Sequence, residues 1–321
     1  MSVELLRLTS EALPLLQAHA YKLQGGDCNL SIASLISRSD EYLISYAMIE
    51  EELVLRWKPY AETPFAWVVP WSSEKIIDIL RTIEEDCMEH CEPLVLYGTY
   101  GALTRNVESL MPYRNFMTAS SNAWWDYLYD RESFVKLEGR KLHGKRNFVK
   151  RFKNAHPEAE LIAITEENIP QCIVFLERWY ASQEEMTPGL INESKAIHTA
   201  FENWSDFELE GGMLVQGEEV FGFTYGSKVR DDMFAVHIEK ADRSVTGSYP
   251  ALAVEFAANL PESVTFINRE EDLGIAGLRK AKQDWFPTDV VRKTILSLEK
   301  EKEFGSNCKV RKILSCRSLA H

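Results

Sequence analysis

GRKLHGKRNFVKRFKNAH, Gly139–His156, carries seven cations (Arg140, Lys141, Lys145, Arg146, Lys150, Arg151 and Lys153) and no acidic side chain. The whole chain has a net charge of −13, so the remainder sums to −20 (−13 − 7). A block of this kind marks an anion-binding surface or a solvated tail. Leu142, Phe148, Val149 and Phe152 share one edge at ~100° per residue, which makes it a packed helix. Arg140, Arg146, Lys150, Arg151 and Lys153 project on the other side. Lys141 and Lys145 extend the Phe148–Phe152 edge at i, i+4 spacing and are expected to point inward. Gly139 is a plausible start. Gly144 costs roughly 1 kcal/mol against Ala, so contacts outside the helix must hold it. A solvated basic face with lysine stems laid along apolar surface also accommodates the pattern.

Working outward, the segments on either side follow the same order. LTSEALP (Leu8–Pro14) reappears as ITEENIP (Ile164–Pro170), an offset of 156 from Thr9 to Thr165. The hairpin turn at Glu50-Glu51-Glu52 returns at Gly217-Glu218-Glu219, an offset of 167 from Glu52 to Glu219. The strand ending at Gly98 returns ending at Asn268, an offset of 170. Slowly growing offsets are expected when loops lengthen between two copies of one unit. Each copy reads strand, Pro-initiated helix, hairpin, strand, helix, buried strand. A chain of 321 residues suits two domains of about 150.

Composition narrows the class. Hydrophobic residues make up 45%, with 8 Trp, 12 Tyr and 15 Phe, enough for large cores. No apolar run approaches the ~18 residues needed to span a bilayer, and MSVELLRL does not read as a signal peptide, so a cytoplasmic protein is expected. Cys87-x3-Cys91 with His90 is the one cysteine cluster, without a second pair at zinc spacing. No metal site is expected, and the thiols read as reduced core residues. A pI near 5.2 argues against broad nucleic-acid coating but allows one local basic groove.

The two copies differ where chemistry would sit. Ligands of open α/β sheets lie past the carboxyl ends of strands. In the first copy that end is Tyr97-Gly98-Thr99, with no charge. In the second it is Asn268-Arg269-Glu270-Glu271-Asp272, followed by a helix bearing Arg279, Lys280 and Lys282. The neighbouring strand is Phe234–Lys240, with Phe234, Val236 and Ile238 expected on one face and His237 and Glu239 on the other. Arg243 to Tyr249, with Gly247 and Ser248, lies just before an expected helix and could hold a phosphate on free backbone N–H groups, or be an ordinary helix cap. Glu239 and Asp272 are candidate bases, and His237 a further one or a core residue. Arg269 could pair with Glu270 or contact an anion. The sequence contains no Gly-x-Ser-x-Gly, Walker loop or His-Glu-x-x-His, which disfavours hydrolase, NTPase and zinc-protease classes.

Gly139–Phe152, Val236–Tyr249 (VHIEKADRSVTGSY) and Ile267–Pro287 (INREEDLGIAGLRKAKQDWFP) together resemble the bacterial family that shares the C-terminal domain of phosphatidylglycerol lysyltransferases, over about Leu5 to Ile295. The resemblance implies an α/β (α+β) fold of two tandem GNAT-like units joined by a basic helix. The expected divisions are 1–130, a linker helix 131–157, a second unit 158–300 carrying the site, and a tail 301–321. In relatives this domain moves an aminoacyl group from tRNA to a lipid headgroup. The sequence has no membrane-spanning half, so the acceptor is left as a small molecule, peptide or lipid headgroup.

The function expected is acyl transfer from aminoacyl-tRNA to an amine or hydroxyl, with no covalently bound cofactor. The alternatives are acyl-CoA-dependent N-acetylation, which a wide Arg243-to-Gly247 spacing disfavours, or a non-catalytic nucleotide- or RNA-binding regulator. Glu239, Asp272 and Arg269 are the catalytic candidates. His237, Lys240, Arg243, Gly247, Ser248, Asn268, Arg279 and Lys282 are candidates for substrate and anion contacts. Lys141, Lys145, Arg146, Lys150 and Arg151 would follow the donor's phosphates.

Overall fold

The structure is a computed structural model and describes residues 3–112 and 114–298. The expected tail 301–321 lies outside the described residues. The first half runs β1 (Leu6–Arg7), α1 (Leu13–His19), α2 (Tyr21–Gln24), α3 (Ile32–Ser37), β2 (Ser45–Ile49), β3 (Glu52–Trp57), β4 (Ala66–Val68), α4 (Ile76–Glu89), β5 (Val95–Thr99), α5 (Tyr100–Leu110), β6 (Phe116–Ala119) and β7 (Asp126–Asp130). Two helices follow, α6 (Arg131–Lys136) and α7 (His143–Ala155). The second half is β8 (Glu160–Ala163), α8 (Ile169–Ala181), α9 (Pro188–Glu202), β9 (Glu210–Gln216), β10 (Glu219–Arg230), β11 (Met233–Ala241), α10 (Ser248–Asn259), β12 (Phe266–Asn268), α11 (Ala276–Gln283), β13 (Asp289–Val291) and β14 (Lys293–Leu298).

The repeat read in the sequence is physical. Pro14 and Pro170 each sit in the first turn of their helix, where a missing N–H costs nothing. Glu50 and Glu51 take left-handed φ of 53° and 65°, the conformation a tight two-residue hairpin requires. Gly217 supplies the same at the matching hairpin (φ 59°). Each half has one parallel step, β4 to β5 and β11 to β12, crossed by α4 and α10 respectively.

The sheets carry an exchange that the sequence does not announce. One is ordered β1-β2-β3-β4-β5-β14-β6, and the other, read from its far edge, β8-β9-β10-β11-β12-β7-β13. Each half gives its last strand to the other: β14 inserts between β5 and β6, and β7 between β12 and β13. The fold is two tandem GNAT-like units that trade a strand. The expected ranges 1–130 and 158–300 therefore cut across the sheets at Asp126–Asp130 and Lys293–Leu298. A shared core reinforces the exchange: Leu8, Trp57 and Tyr97 are buried in one cluster with Phe175, Phe201 and Phe223.

The linker is two helices, not one. Leu137 and Gly139 adopt left-handed φ (51° and 82°), which ends α6, and α7 begins at His143 instead of Gly139. Val149 and Phe152 are buried, Phe152 with Leu214, Phe221, Ala251 and Leu252. Phe148, expected on the packed edge, is 44% exposed.

Candidate active site where β11 and β12 part

β12 pairs along its three residues with the start of β11 alone, from Met233 with Phe266 to Ala235 with Asn268. Beyond that point β11 continues and the other strand turns away, so side chains on either face can bridge the gap. A bulge decides which. β10 pairs Tyr225 with Ile238 and then Gly226 with Val236, skipping His237. A Cβ at Gly226 would lie 1.8 Å from the Ala235 carbonyl oxygen, so only glycine permits this approach. The skip breaks the expected alternation: Phe234 packs with Phe256 and Trp285, whereas Ile238 joins the opposite core with Phe223 and Tyr225. His237 and Glu239 consequently lie on opposite faces.

On the α10 face, Glu239 accepts from Arg269 at 2.8 Å, each side chain being 14% exposed. Glu270, the sequence-adjacent alternative, is not the partner of Arg269. The pair borders a small cavity with Phe134, Val236 and Phe256. Arg269 lies 5.3 Å from the ring centre of Trp285, and Lys145 lies 4.9 Å from the same ring. Burial, with repulsion from Arg269, lowers the Lys145 pKa. The inner edge of α7 thus faces the ring that Arg269 also contacts; Lys145 takes the inward direction that the i, i+4 spacing implied for it and Lys141, and Lys141 does not. Lys141 is exposed, with its ammonium 5.4 Å from the Phe286 ring.

On the other face His237 stands between Ser227 and Glu270. Ser227 Oγ is 2.8 Å from Nε2, and Glu270 Oε1 is 2.9 Å from Nδ1.

Asp272 and Arg279 form a second ion pair, bidentate at 2.8 and 3.0 Å. Tyr127 Oη donates to Asp272 at 2.7 Å and the Gly274 N–H at 2.8 Å. Burial pushes the Asp272 carboxyl upward, but these hydrogen bonds outweigh it and hold the pKa below the ordinary carboxylate value. So saturated a carboxylate is a poor base. Among the described residues no hydrogen bond links it to the Glu239–Arg269 pair, so the expected four side chains form two pairs.

The remaining candidates are mostly internal. Lys282 donates to the Glu271 carbonyl, and Asn268 Nδ2 donates to Asp126 (2.9 Å) and to the Gly26 carbonyl (3.0 Å). Lys240 is 6% exposed, 2.6 Å from Glu193 and 3.8 Å from the Trp179 ring centre, with Arg243 5.3 Å from the same ring. The Arg243–Ser248 turn holds its own anion, since Asp242 accepts from Ser244 N (2.8 Å) and Oγ (2.6 Å). Gly247 has φ 88°, and a Cβ there would come within 2.2 Å of the Phe148 carbonyl oxygen of α7. That turn is packed under the basic helix. On α7 itself Arg146 caps the Leu137 and Gly139 carbonyls and Lys153 pairs with Glu255. Arg140, Lys150 and Arg151 are exposed.

A buried charge cluster was missed by sequence reading. Lys293 Nζ, wholly buried, bonds Glu271 and lies 2.6 Å from Asp126, 3.3 Å from Asp27 and 3.5 Å from Cys28 Sγ. Tyr97 Oη donates to Asp27 at 2.6 Å. Burial, and then the neighbouring carboxylates, push Asp126 up to about 8 against the pull of Lys293. The same attraction takes Glu271 the other way, to about 2, despite its burial. Ligand atoms of Asp27, Cys28 and Asp126 lie within 4.8 Å of one another, a spacing that suits a metal ion, but the Lys293 ammonium already serves as their cation. No described helix is long and apolar enough to cross a membrane.

The sequence matches the family described as phosphatidylglycerol lysyltransferase, C-terminal, over residues 21–296. A conserved protein of unknown function from Bacteroides thetaiotaomicron is 31% identical, with a TM-score of 0.82 over 92% of this chain and 100% of that one. The C-terminal domain of a putative lysylphosphatidylglycerol synthetase from Agrobacterium fabrum shares the fold at 12% identity (TM-score 0.58; 90% and 91% covered). So does L-PGS from Bacillus licheniformis at 11% identity (TM-score 0.58; 91% and 93% covered). No curated protein matches the chain.

Proposed function

The chain belongs to the phosphatidylglycerol lysyltransferase C-terminal family, and on that premise we propose that it is a transferase moving an aminoacyl group from aminoacyl-tRNA to an amine or hydroxyl acceptor. The observation that carries this reading is the cation row of α7. Arg140, Lys141, Lys150 and Arg151 are exposed at and along a helix of 13 residues, in a chain of net charge −13. Lys145, on the packed edge of the same helix, faces the Trp285 ring that Arg269 also contacts. A polyanion laid along the helix would bring its end to the Glu239–Arg269 pair.

An aminoacyl ester is already activated. The acceptor attacks the carbonyl, a carboxylate takes its proton, and the ribose oxygen departs. Glu239 is the base of this reading and Arg269 steadies the developing negative charge. The acyl-CoA alternative needs free backbone donors at the start of α10. There the Asp242 carboxylate and the Phe148 carbonyl already face the turn, which favours the tRNA reading.

The test is filter binding of tRNA across ~50–300 mM salt. Four exposed cations predict a log–log slope of about −3.5, and the double variant Lys150→Glu/Arg151→Glu should roughly halve it. Tight acetyl-CoA binding that the double variant leaves unchanged, with a flat salt response for tRNA, refutes the reading.

A further inference from the structure

We propose that Ser227, His237 and Glu270 form a nucleophilic triad, and that the protein cleaves activated carboxylic esters through an acyl-Ser227 intermediate. This activity lies on the opposite face of the second sheet from the Glu239–Arg269 pair and does not depend on tRNA binding.

The constellation has the order of groups such catalysis needs. Ser227 Oγ lies 2.8 Å from His237 Nε2, and Nδ1 lies 2.9 Å from Glu270 Oε1. The triad takes the tautomer with Nδ1–H directed at Glu270, since an imidazole can donate from one nitrogen and accept at the other. Nε2 of the neutral ring then has its lone pair free, and the Ser227 hydroxyl donates to it. That is the tautomer in which a histidine removes a serine proton.

Three local features hold the groups in place. The bulge at His237 and the close approach at Gly226 bring the serine and imidazole onto one face. Glu270 holds a left-handed backbone, φ 60°, uncommon for a non-glycine residue. Asn268 Oδ1 secures it by accepting the Glu270 N–H at 2.8 Å, and the Glu270 carbonyl accepts from Tyr127 N at 3.1 Å. Ser227 is 5% exposed, the His237 side chain 9% and the Glu270 side chain 21%, so the triad meets solvent at its carboxylate end.

The step balances without a co-reactant other than water. The Oγ–acyl bond forms as the bond from acyl carbon to alkoxy oxygen breaks. The Oγ proton passes to Nε2 and then to the leaving oxygen. Water, deprotonated by the same nitrogen, attacks the acyl-serine and releases the acid, so ester and water give acid and alcohol.

The experiment treats the full chain with a fluorophosphonate reagent and, separately, with p-nitrophenyl acetate. Peptide mapping should place the phosphonyl adduct on Ser227, and acetate hydrolysis should begin with a burst. Ser227→Ala, the loss of one hydroxyl, should abolish adduct and burst, and His237→Gln should slow labelling by about 100-fold or more. Circular dichroism checks that each variant is folded, and tRNA binding by Ser227→Ala should equal wild type. An adduct elsewhere, no adduct on folded wild type, or unchanged hydrolysis by Ser227→Ala overturns the triad. None of these outcomes alters the salt titration that judges the tRNA reading.

Discussion

Replacing Lys293 by Met removes the one ammonium among three buried carboxylates. Lys293 is 0% exposed and touches Asp126, Glu271 and Asp27, the farthest at 3.3 Å. Met keeps much of the stem volume, so the change is chiefly electrostatic. Leaving a buried partner uncompensated costs about 3–5 kcal/mol. That is a large share of the ~5–15 kcal/mol typical of a folded protein. The carboxylates can soften the loss only by taking up protons, at about 1.4 kcal/mol per unit of pKa shift. Their folded pKa values would then stand above the unfolded ones, so the surviving stability is present at low pH and lost as pH rises. The expected result is a urea midpoint far below wild type at pH 8 and nearer to it at pH 5. Adding Glu271→Gln should recover part of the loss. A penalty under about 1 kcal/mol, or one independent of pH, would refute the reasoning.

The unsubstituted protein should itself lose stability with rising pH. Asp126 is raised to about 8, so its contribution is intact below its unfolded value near ~3.9 and is lost as pH climbs through 8. Glu271, lowered to about 2, acts oppositely and loses its contribution as pH falls toward 2. Urea midpoints measured from pH 3 to 9 should therefore peak between these limits, and Asp126→Asn should flatten the alkaline limb. Gly226→Ala would set a Cβ 1.8 Å from the Ala235 carbonyl oxygen, so β10 and β11 must separate, at about 3 kcal/mol by chemical denaturation and with loss of Ser227 labelling.

The two-unit fold was legible because its signals are local. Pro14 and Pro170 open equivalent helices, Glu50–Glu51 and Gly217 turn equivalent hairpins, and the charge at Asn268–Asp272 marks a strand end. The basic helix was legible as packed, but its start was not: Leu137 in a left-handed conformation breaks the segment, and leucine gives no warning of that. The site was legible in part. Glu239 and Arg269 were both candidates, but nothing in the sequence said that they pair. The faces of Ile238 and Glu239 were misread because alternation assumes an unbroken period of two, and one skipped residue inverts everything beyond it. Gly226 inside a strand was the available signal.

The strand exchange is a matter of long-range pairing, and neither DYLYD (Asp126–Asp130) nor KTILSL (Lys293–Leu298) says which sheet it enters. A charge relation does carry the information. Asp126 and Lys293 are the first residues of β7 and β14, the two exchanged strands. They are 167 residues apart, within the 156 to 170 of the repeat offsets. The same position of the repeated unit therefore bears an acid in one copy and a base in the other. The exchange brings these equivalent positions to 2.6 Å of each other in the buried interior. Two identical charges at that position would repel across the pseudo-symmetric contact, so the arrangement requires the copies to differ there. Asp27 and Glu271, one from each half, converge on the same ammonium, which makes Lys293 the point where the two units are electrostatically joined. Loss of that ammonium should accordingly weaken both halves together, in one urea transition, because the exchanged strands and the shared core still join them.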